Sequence, residues 1–365
     1  MRLDNKILYV MKNTVIKGTG CYIPEQIVRN TDFEDYHFYD EKQQEIPSND
    51  GEITQKFEQI TGIRERRYVC DDKVVSDIAA VAAKKAVEDA GIDAETIDQI
   101  IVAHNYGDVQ HGTIQSDAVP SIAARVKNSL GIQNSACIAY DILFGCPGWV
   151  QAVIQAHAYI RAGMGKRFLI IGAETLSRVV DKYDRDTMIY ADGAGAVILE
   201  AEESDTRRGL LSYAMQTDTM DEAHFLFAGE SYNPNIESST KYIKMYGRKV
   251  YEYAISNVPQ AMKLAMDRSG ESVEDLKKVL IHQANEKMDE AILKRFYRLY
   301  KLPMPEGIMP MTIQKLGNSS VATIPTLLDL ILKGELEGHS IKPGDLLLFA
   351  SVGAGMSINA FVYRW

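Results

Sequence analysis

Along the chain, hydrophobic and polar positions repeat one block twice. In the first copy a helical stretch closes on Ala90-Gly91, a polar segment follows, and a continuous apolar run occupies Ile100 to Ala103. In the second copy the same order returns as Ser269-Gly270, a polar segment, and Val279 to Ile281. The glycines read as helix C-caps, where the chain turns left-handed. The unbroken apolar runs suit strands covered on both faces, which lack the alternation of a strand with one wet side.

The correspondence continues downstream. A strand over Ala139 to Ile142, a turn holding Gly145-Cys146, an apolar helix over Val150 to Ile160 and a strand over Phe168 to Ile171 are predicted in the first half. In the second, Gly317-Asn318 leads into a helix over Thr323 to Leu332 and a strand over Leu346 to Phe349, and the final run Ile358 to Tyr363 matches Ala196 to Leu199. Duplication is the economical explanation. Alternating strands and helices make each half α/β, and two such halves put their sheets back to back around shared central helices, with a site at the junction. The segments His37 to Lys56 and Asp218 to Ser239 fit no repeat element and read as surface excursions or lids.

Composition narrows the class. A chain of 365 residues, 46% hydrophobic and 25% charged, can bury one large core or two fused ones. Its net charge of −10 argues against nucleic-acid binding, which rests on clustered cations. The four cysteines, at 21, 70, 137 and 146, form no CxxC pair and no zinc-ligand spacing, and they fit a reducing cytosol better than a disulfide framework. No run reaches the roughly 18 apolar residues of a membrane span, and the mixed-charge Met1 to Lys12 has only a short apolar stretch, so the expectation is a cytoplasmic protein with no membrane or nucleic-acid partner.

Against that background three side chains carry chemistry. The turn Leu143-Phe-Gly-Cys146-Pro-Gly-Trp149 sets a thiol at or near a helix N-terminus, where the dipole and free amides favour a thiolate. His282 stands where the strand Val279 to Ile281 runs out, as functional groups do at strand ends in α/β folds. Asn318 occupies the duplicate of the cysteine's position. Each alone has a structural reading: a buried cysteine, a packed histidine, a helix cap by Asn318, Ser319 or Ser320. As a set of thiol, imidazole and carboxamide at equivalent junctions they point to covalent catalysis. The glycine-rich Ser351-Val-Gly-Ala-Gly-Met356 can aim a backbone amide at an oxyanion opposite that of Cys146. Asp192-Gly-Ala-Gly-Ala196 lacks the order of a nucleotide-binding fingerprint.

From Val15 to Trp365 the chain resembles the β-ketoacyl-acyl-carrier-protein synthase III group of the thiolase superfamily, on Thr61-Gly-Ile-Arg-Glu-Arg66, the Cys146 turn, Asp192-Gly-Ala-Gly-Ala196, His282-Gln-Ala-Asn285 and Gly317-Asn318-Ser319. The resemblance implies a homodimer of five-layered αβαβα subunits, with residues 14–205 as the half that carries the nucleophile and 206–365 as the half that carries histidine and asparagine. It implies that Cys146 accepts an acyl group from a thioester, that His282 and Asn318 hold the enolate of a carrier-bound malonyl or β-ketoacyl extender, and that the amides of Cys146 and Ala354 form the oxyanion hole. Acyl-CoA or acyl-carrier thioesters are then the substrates, an acyl carrier protein is the partner, and no metal or further cofactor is required. Lys287, Lys294 and Arg295 match basic positions that meet the carrier.

Departures from the family's pattern bear on the substrate. Lys56 stands where a tryptophan usually clamps the CoA adenine, while the opposing arginine survives as Arg185. Val119 replaces a bulky phenylalanine that reaches across the dimer into the acyl pocket, after an enlarged loop His104 to Asp117. Less bulk implies a longer or unusual acyl chain, as in a specialised enzyme of dialkylresorcinol type. Type III polyketide synthases and hydroxymethylglutaryl-CoA synthases carry related Cys-His-Asn or Cys-His sets. From other classes, a cysteine hydrolase and a non-catalytic partner subunit are the competing readings, and the intact set of three argues against the last.

Overall fold

The structure, a computed structural model, describes residues 11–47, 51–237 and 239–365. Most of the Met1 to Lys12 stretch and three residues of the His37 to Lys56 excursion lie outside the described residues, as does Ser238 in the second excursion. Two sheets dominate. The first contains β1 (Met11–Tyr22), β2 (Gln99–Ala103), β3 (Ile138–Ile142), β4 (Arg167–Thr175) and β5 (Asp192–Ser204) in the order β1-β5-β4-β2-β3. The second contains β6 (Gly209–Thr217), β7 (Leu276–Ile281), β8 (Leu346–Gly353) and β9 (Ser357–Arg364) in the order β6-β9-β8-β7.

The duplication is visible in strand order and sense. The β4–β2 pair is parallel, as is β8–β7, while β5 and β9 each run antiparallel between their two neighbours. The second sheet has no counterpart of β3. Where strand ends were read from apolar runs alone the structure extends them: β5 continues past Leu199 to Ser204 because its polar end still pairs with β1, down to Met11↔Ser204.

Side-chain alternation divides each strand between two cores. Along β4, Phe168 and Ile170 face a central cluster while Leu169, Ile171 and Ala173 face an outer one. Along β8, Leu347 and Phe349 face the same central cluster while Leu346, Leu348 and Ala350 face the other side. The central cluster is filled by α-helices Gly148–Ala162 and Thr323–Leu332, buried almost all round as a helix sandwiched between two sheets must be. Helices Val75–Ala90 and Ile122–Ser129 cover the outside of the first sheet, and Gly247–Ser269 and Glu286–Leu299 the outside of the second. The stack is helix, sheet, helix, sheet, helix: the five-layered thiolase-like fold expected from the resemblance.

Both predicted C-caps are present, with Gly91 at φ 63° and Gly270 at φ 73°. The two excursions are more ordered than their composition suggested. The first ends at Gly51, because Glu52–Thr61 is a helix that turns Phe57 inward. The second holds a strand, Leu226–Gly229, paired antiparallel with Tyr242–Met245. This hairpin is tied down by Lys244, fully buried, whose Nζ contacts Asp181 at 2.6 Å and Asp184 at 3.0 Å and lies 3.5 Å from the centre of the Tyr232 ring. Among the described residues no helix is long and apolar enough to cross a membrane.

Candidate active site

Strands β2, β3, β4, β7 and β8 deliver side chains to one place just beyond their carboxyl ends, where open α/β sheets hold ligands. Asn105 follows β2, Cys146 follows β3, Glu174 closes β4, His282 follows β7 and Ala354 follows β8. A cavity of about 920 Å³ opens there, and Cys146, His282 and Asn318 all line it. The pattern read from sequence therefore converges in space, although the three residues come from different segments of both halves.

The cysteine loop is shaped by close backbone approach. Gly145 has φ 64°, and a Cβ added there would lie 2.8 Å from the Ala354 nitrogen. Gly353 is extended, but a Cβ on it would lie 2.5 Å from the Cys146 nitrogen. Only glycines let the two turns abut, and their abutment brings the amides of Cys146 and Ala354 to the same end of the cavity. Pro147 is the N-cap residue of helix Gly148–Ala162, so the thiol stands one position ahead of the helix. Burial nevertheless pushes the Cys146 thiol up to about 11, opposed by the Ser320 hydroxyl and its own amide. At rest the group is a thiol, and the helix N-terminus acts against a substantial desolvation cost.

His282 is 3% exposed, and burial pushes it down to about 4, so the ring is neutral at physiological pH. Its Nδ1 is sealed in protein without a hydrogen-bond partner, which leaves Nε2 as the ring nitrogen the cavity can use. In the rest of the His-Gln-Ala-Asn motif, Gln283 binds the Pro310 carbonyl and receives the Thr312 and Ile313 amides, while Asn285 caps helix Glu286–Leu299 through the Met288 amide. Those two side chains hold the turn that aims His282.

Asn318 does not cap the helix that follows. Its Oδ1 accepts the Ser320 amide at 2.8 Å, which fixes the carboxamide so that its NH₂ remains the group to offer. Ser320 itself is buried with φ 53°, a left-handed conformation uncommon outside glycine. Behind this turn stands fully buried Arg66, bound to the Met188 and Val28 carbonyls and to Asn30 Oδ1. Its Cβ would be only 2.7 Å from a Cβ on Gly317. The Thr61 to Arg66 motif thus supports the asparagine turn from outside. Asp192 is likewise structural, accepting Val69 N, Ser177 N and Ser177 Oγ.

Lys56 and Arg185 both line the cavity, as does Arg248, which the sequence did not single out. Lys287, Lys294 and Arg295 are exposed on helix Glu286–Leu299 outside it; Lys294 pairs with Glu290 at 2.8 Å, and Arg295 donates to the Ile255 carbonyl. Val119 does not reach the cavity of its own subunit and is 88% exposed. Sequence reasoning missed Glu174, Asn105 and Ser320. The visible signal was an acidic residue closing the apolar run Phe168 to Ala173. Among the described residues no group of three His, Cys, Asp or Glu side chains could hold a metal ion.

Comparison with known proteins shows the family and the fold. Residues 140–219 match the family model described as 3-oxoacyl-acyl-carrier-protein (ACP) synthase III, and residues 266–365 match its C-terminal counterpart. Over 359 residues the chain is 34% identical to the β-ketoacyl-acyl-carrier-protein synthase III of Paracoccus denitrificans, covering 97% of this chain and 100% of that one. The chain belongs to the β-ketoacyl-acyl-carrier-protein synthase III family. As a member it is an acyltransferase of the thiolase-like condensing enzymes. The crystal structure of the Aquifex aeolicus synthase III superposes with a TM-score of 0.79 at 29% identity, over 96% of this chain and 100% of that one. Xanthomonas campestris OleA, at 17% identity and a TM-score of 0.74 over 98% and 99% of the two chains, shares the fold.

Proposed function

We propose that this synthase III relative joins two acyl units by Claisen condensation on Cys146. The Cys146 sulfur attacks a CoA or carrier thioester, its proton leaves with the released thiol, and the acyl group stays as a thioester on the enzyme. A carrier-bound malonyl or β-ketoacyl unit then enters. With malonyl, loss of CO₂ leaves an enolate whose oxygen is held by His282 and Asn318; with a β-ketoacyl unit, the acidic α-proton passes to solvent and leaves the same kind of enolate. The enolate carbon attacks the acyl carbonyl, the amides of Cys146 and Ala354 receive the oxyanion, and the Cys146 thiolate is expelled.

One observation carries this reading: the neutral imidazole of His282 and the Asn318 carboxamide, locked with its NH₂ free, share a cavity with Cys146. Neutral donors stabilise an enolate without first protonating it. The cavity's apolar wall supports a long acyl chain: the first excursion and its helix contribute Ile46, Ile53, Phe57 and Ile60, and the hairpin contributes Leu226, Phe227, Ile243 and Met245. This favours a specialised lipid or polyketide pathway, of dialkylresorcinol type, over initiation of ordinary fatty-acid synthesis. Arg185 and Lys56 serve the donor's head group at the mouth, and Lys287, Lys294 and Arg295 meet an acidic carrier. Val119, exposed on one subunit, belongs to the partner's acyl pocket in a homodimer.

Intact-protein mass spectrometry after mixing with acyl-CoA and acyl-carrier donors of increasing length tests the reading. Acyl adducts are expected on wild type and absent from Cys146→Ala, with long chains retained best. Equal acylation of the variant, or release of free acid with no condensed product, would overturn it.

A further inference from the structure

Behind the cavity wall lies a buried carboxyl for which the condensation chemistry has no use. Glu174 is 1% exposed; its Oε1 accepts the Asn105 Nδ2, and its Oε2 is sealed without any partner. The same Asn105 nitrogen donates to Ser320 Oγ at 3.3 Å, and the Ser320 hydroxyl, which lines the same cavity as Cys146, acts to lower the thiol's pKa. Asn105 and Ser320 line the cavity with Cys146, whereas Glu174 stands behind them.

A hydroxyl beside a thiol can point its hydrogen either way. With the Asn105 amide on one of its two lone pairs, the Ser320 oxygen is less free to accept from the thiol, and its proton is left for the sulfur. A carboxamide can rotate as well, and the Glu174 oxygen fixes its NH₂ towards the serine. We propose that Glu174 and Asn105 are positioning residues that act through Ser320 to keep one hydrogen-bond donor aimed at the Cys146 thiolate. The left-handed backbone of Ser320, φ 53° and buried, fits a residue held in place for such a task.

The charge state of Glu174 matters to this role. Burial, more than anything else, holds its pKa at about 8 against the Asn105 hydrogen bonds that lower it, and the titratable groups that act on it, Asp192, Cys146 and Tyr106, all oppose its ionisation. At neutral pH the carboxyl is therefore uncharged and can steer Asn105 without repelling a thiolate. Above about pH 8 it ionises, and its charge then opposes thiolate formation.

The inference rests on Cys146 as nucleophile, so its test is chosen to read the thiol directly: the rate of Cys146 alkylation by iodoacetamide from pH 6.5 to 10, followed by mass spectrometry, in wild type, Ser320→Ala, Glu174→Ala and Glu174→Gln. Ser320→Ala and Glu174→Ala are each expected to slow alkylation about tenfold at pH 7.5, the loss of one hydrogen bond to an anion. Glu174→Gln keeps the acceptor for Asn105 and should stay within about twofold of wild type at that pH. Above pH 8, where the wild-type profile flattens, the Glu174→Gln rate should go on rising. A Glu174→Gln profile superimposable on wild type up to pH 10, or Glu174→Ala alkylating at the wild-type rate, would overturn the proposal. Failure of wild type to form an acyl adduct would instead strike at the nucleophile assignment, leaving these alkylation profiles still readable.

Discussion

The two turns that duplication made equivalent, one following a strand and the other the short helix Ile313–Leu316, have diverged into different tools. Each enters its functional residue through a glycine at positive φ, Gly145 at 64° before Cys146 and Gly317 at 67° before Asn318. After Cys146 the chain goes directly into a long helix, Gly148–Ala162. After Asn318 it first makes a short 3₁₀ turn, Ser320–Ala322, entered through the left-handed Ser320. In the proposed mechanism the first junction presents the side chain that makes a covalent bond. The second bends its carboxamide back on Ser320 N, which turns a helix-capping residue into a fixed donor. Equivalent backbone placement therefore supplies the site with a position, and the local turn decides what the position does.

The largest expected effect separates the two roles. Asn318→Ala should lower condensation about 10²- to 10³-fold, the usual cost of one donor to a developing oxyanion. Formation of the acyl adduct on Cys146 should remain within several-fold of wild type, because the attack of the sulfur does not use the enolate donors. Adduct formation by mass spectrometry, run beside the rate of product formation, checks this. If acylation and condensation fall together, the second junction is a structural support for the first.

Much of this division was legible before any coordinates. Paired runs such as Ile100–Ala103 and Val279–Ile281 give away buried strands, since each apolar side chain must go to one of two cores, and the Cys146 and Asn318 turns follow from aligning the halves. What stayed hidden depends on contacts across the repeat. Ser320 reads as an ordinary turn residue until its hydroxyl is seen to accept from Asn105 at the wall of the cavity that holds Cys146. Leu226–Gly229 is too short for periodicity, and its partner Tyr242–Met245 lies beyond a polar loop. The buried Lys244 was equally opaque, because a lysine in sequence announces a surface; only Asp181 and Asp184 make its burial tolerable.

A smaller effect distinguishes the junctions by what stands behind their glycines. Gly317→Ala meets the Cβ of Arg66, which three hydrogen bonds hold in the core, so the overlap has no easy relief. A loss of about 3 kcal/mol or more is expected, because φ 67° with ψ −162° is a backbone region held essentially by glycine, costing alanine about 1–3 kcal/mol, and overpacking adds a similar amount. Gly145→Ala meets the backbone of Ala354, an exposed turn that can shift. It should cost stability only about 1–2 kcal/mol while damaging activity through the displaced amide. Urea unfolding midpoints beside condensation rates test the contrast, and equal destabilisation by both would mean that the Ala354 turn is as rigid as the arginine core.

The smallest effect is a flat line. His282, with its folded-state value pushed down to about 4, is neutral in every state sampled above pH 5, so protonation of this ring cannot switch the second junction off in the range where an ordinary histidine titrates, near 6.5. An NMR titration of the imidazole, assigned by its absence in His282→Ala, should show no movement between pH 5.5 and 8. Asp186 at the cavity wall is pushed up to about 7, Asp192 to about 6 and Glu174 to about 8, so a modest inflection in the rate profile in that window belongs to these carboxyls and not to the ring. The ring signal therefore decides the point, because the rate alone would mix them all. A midpoint near 6.5 would mean that the imidazole is open to solvent and charged for part of the range, and the pairing of a neutral histidine donor with a locked asparagine would have to be rebuilt around an imidazolium.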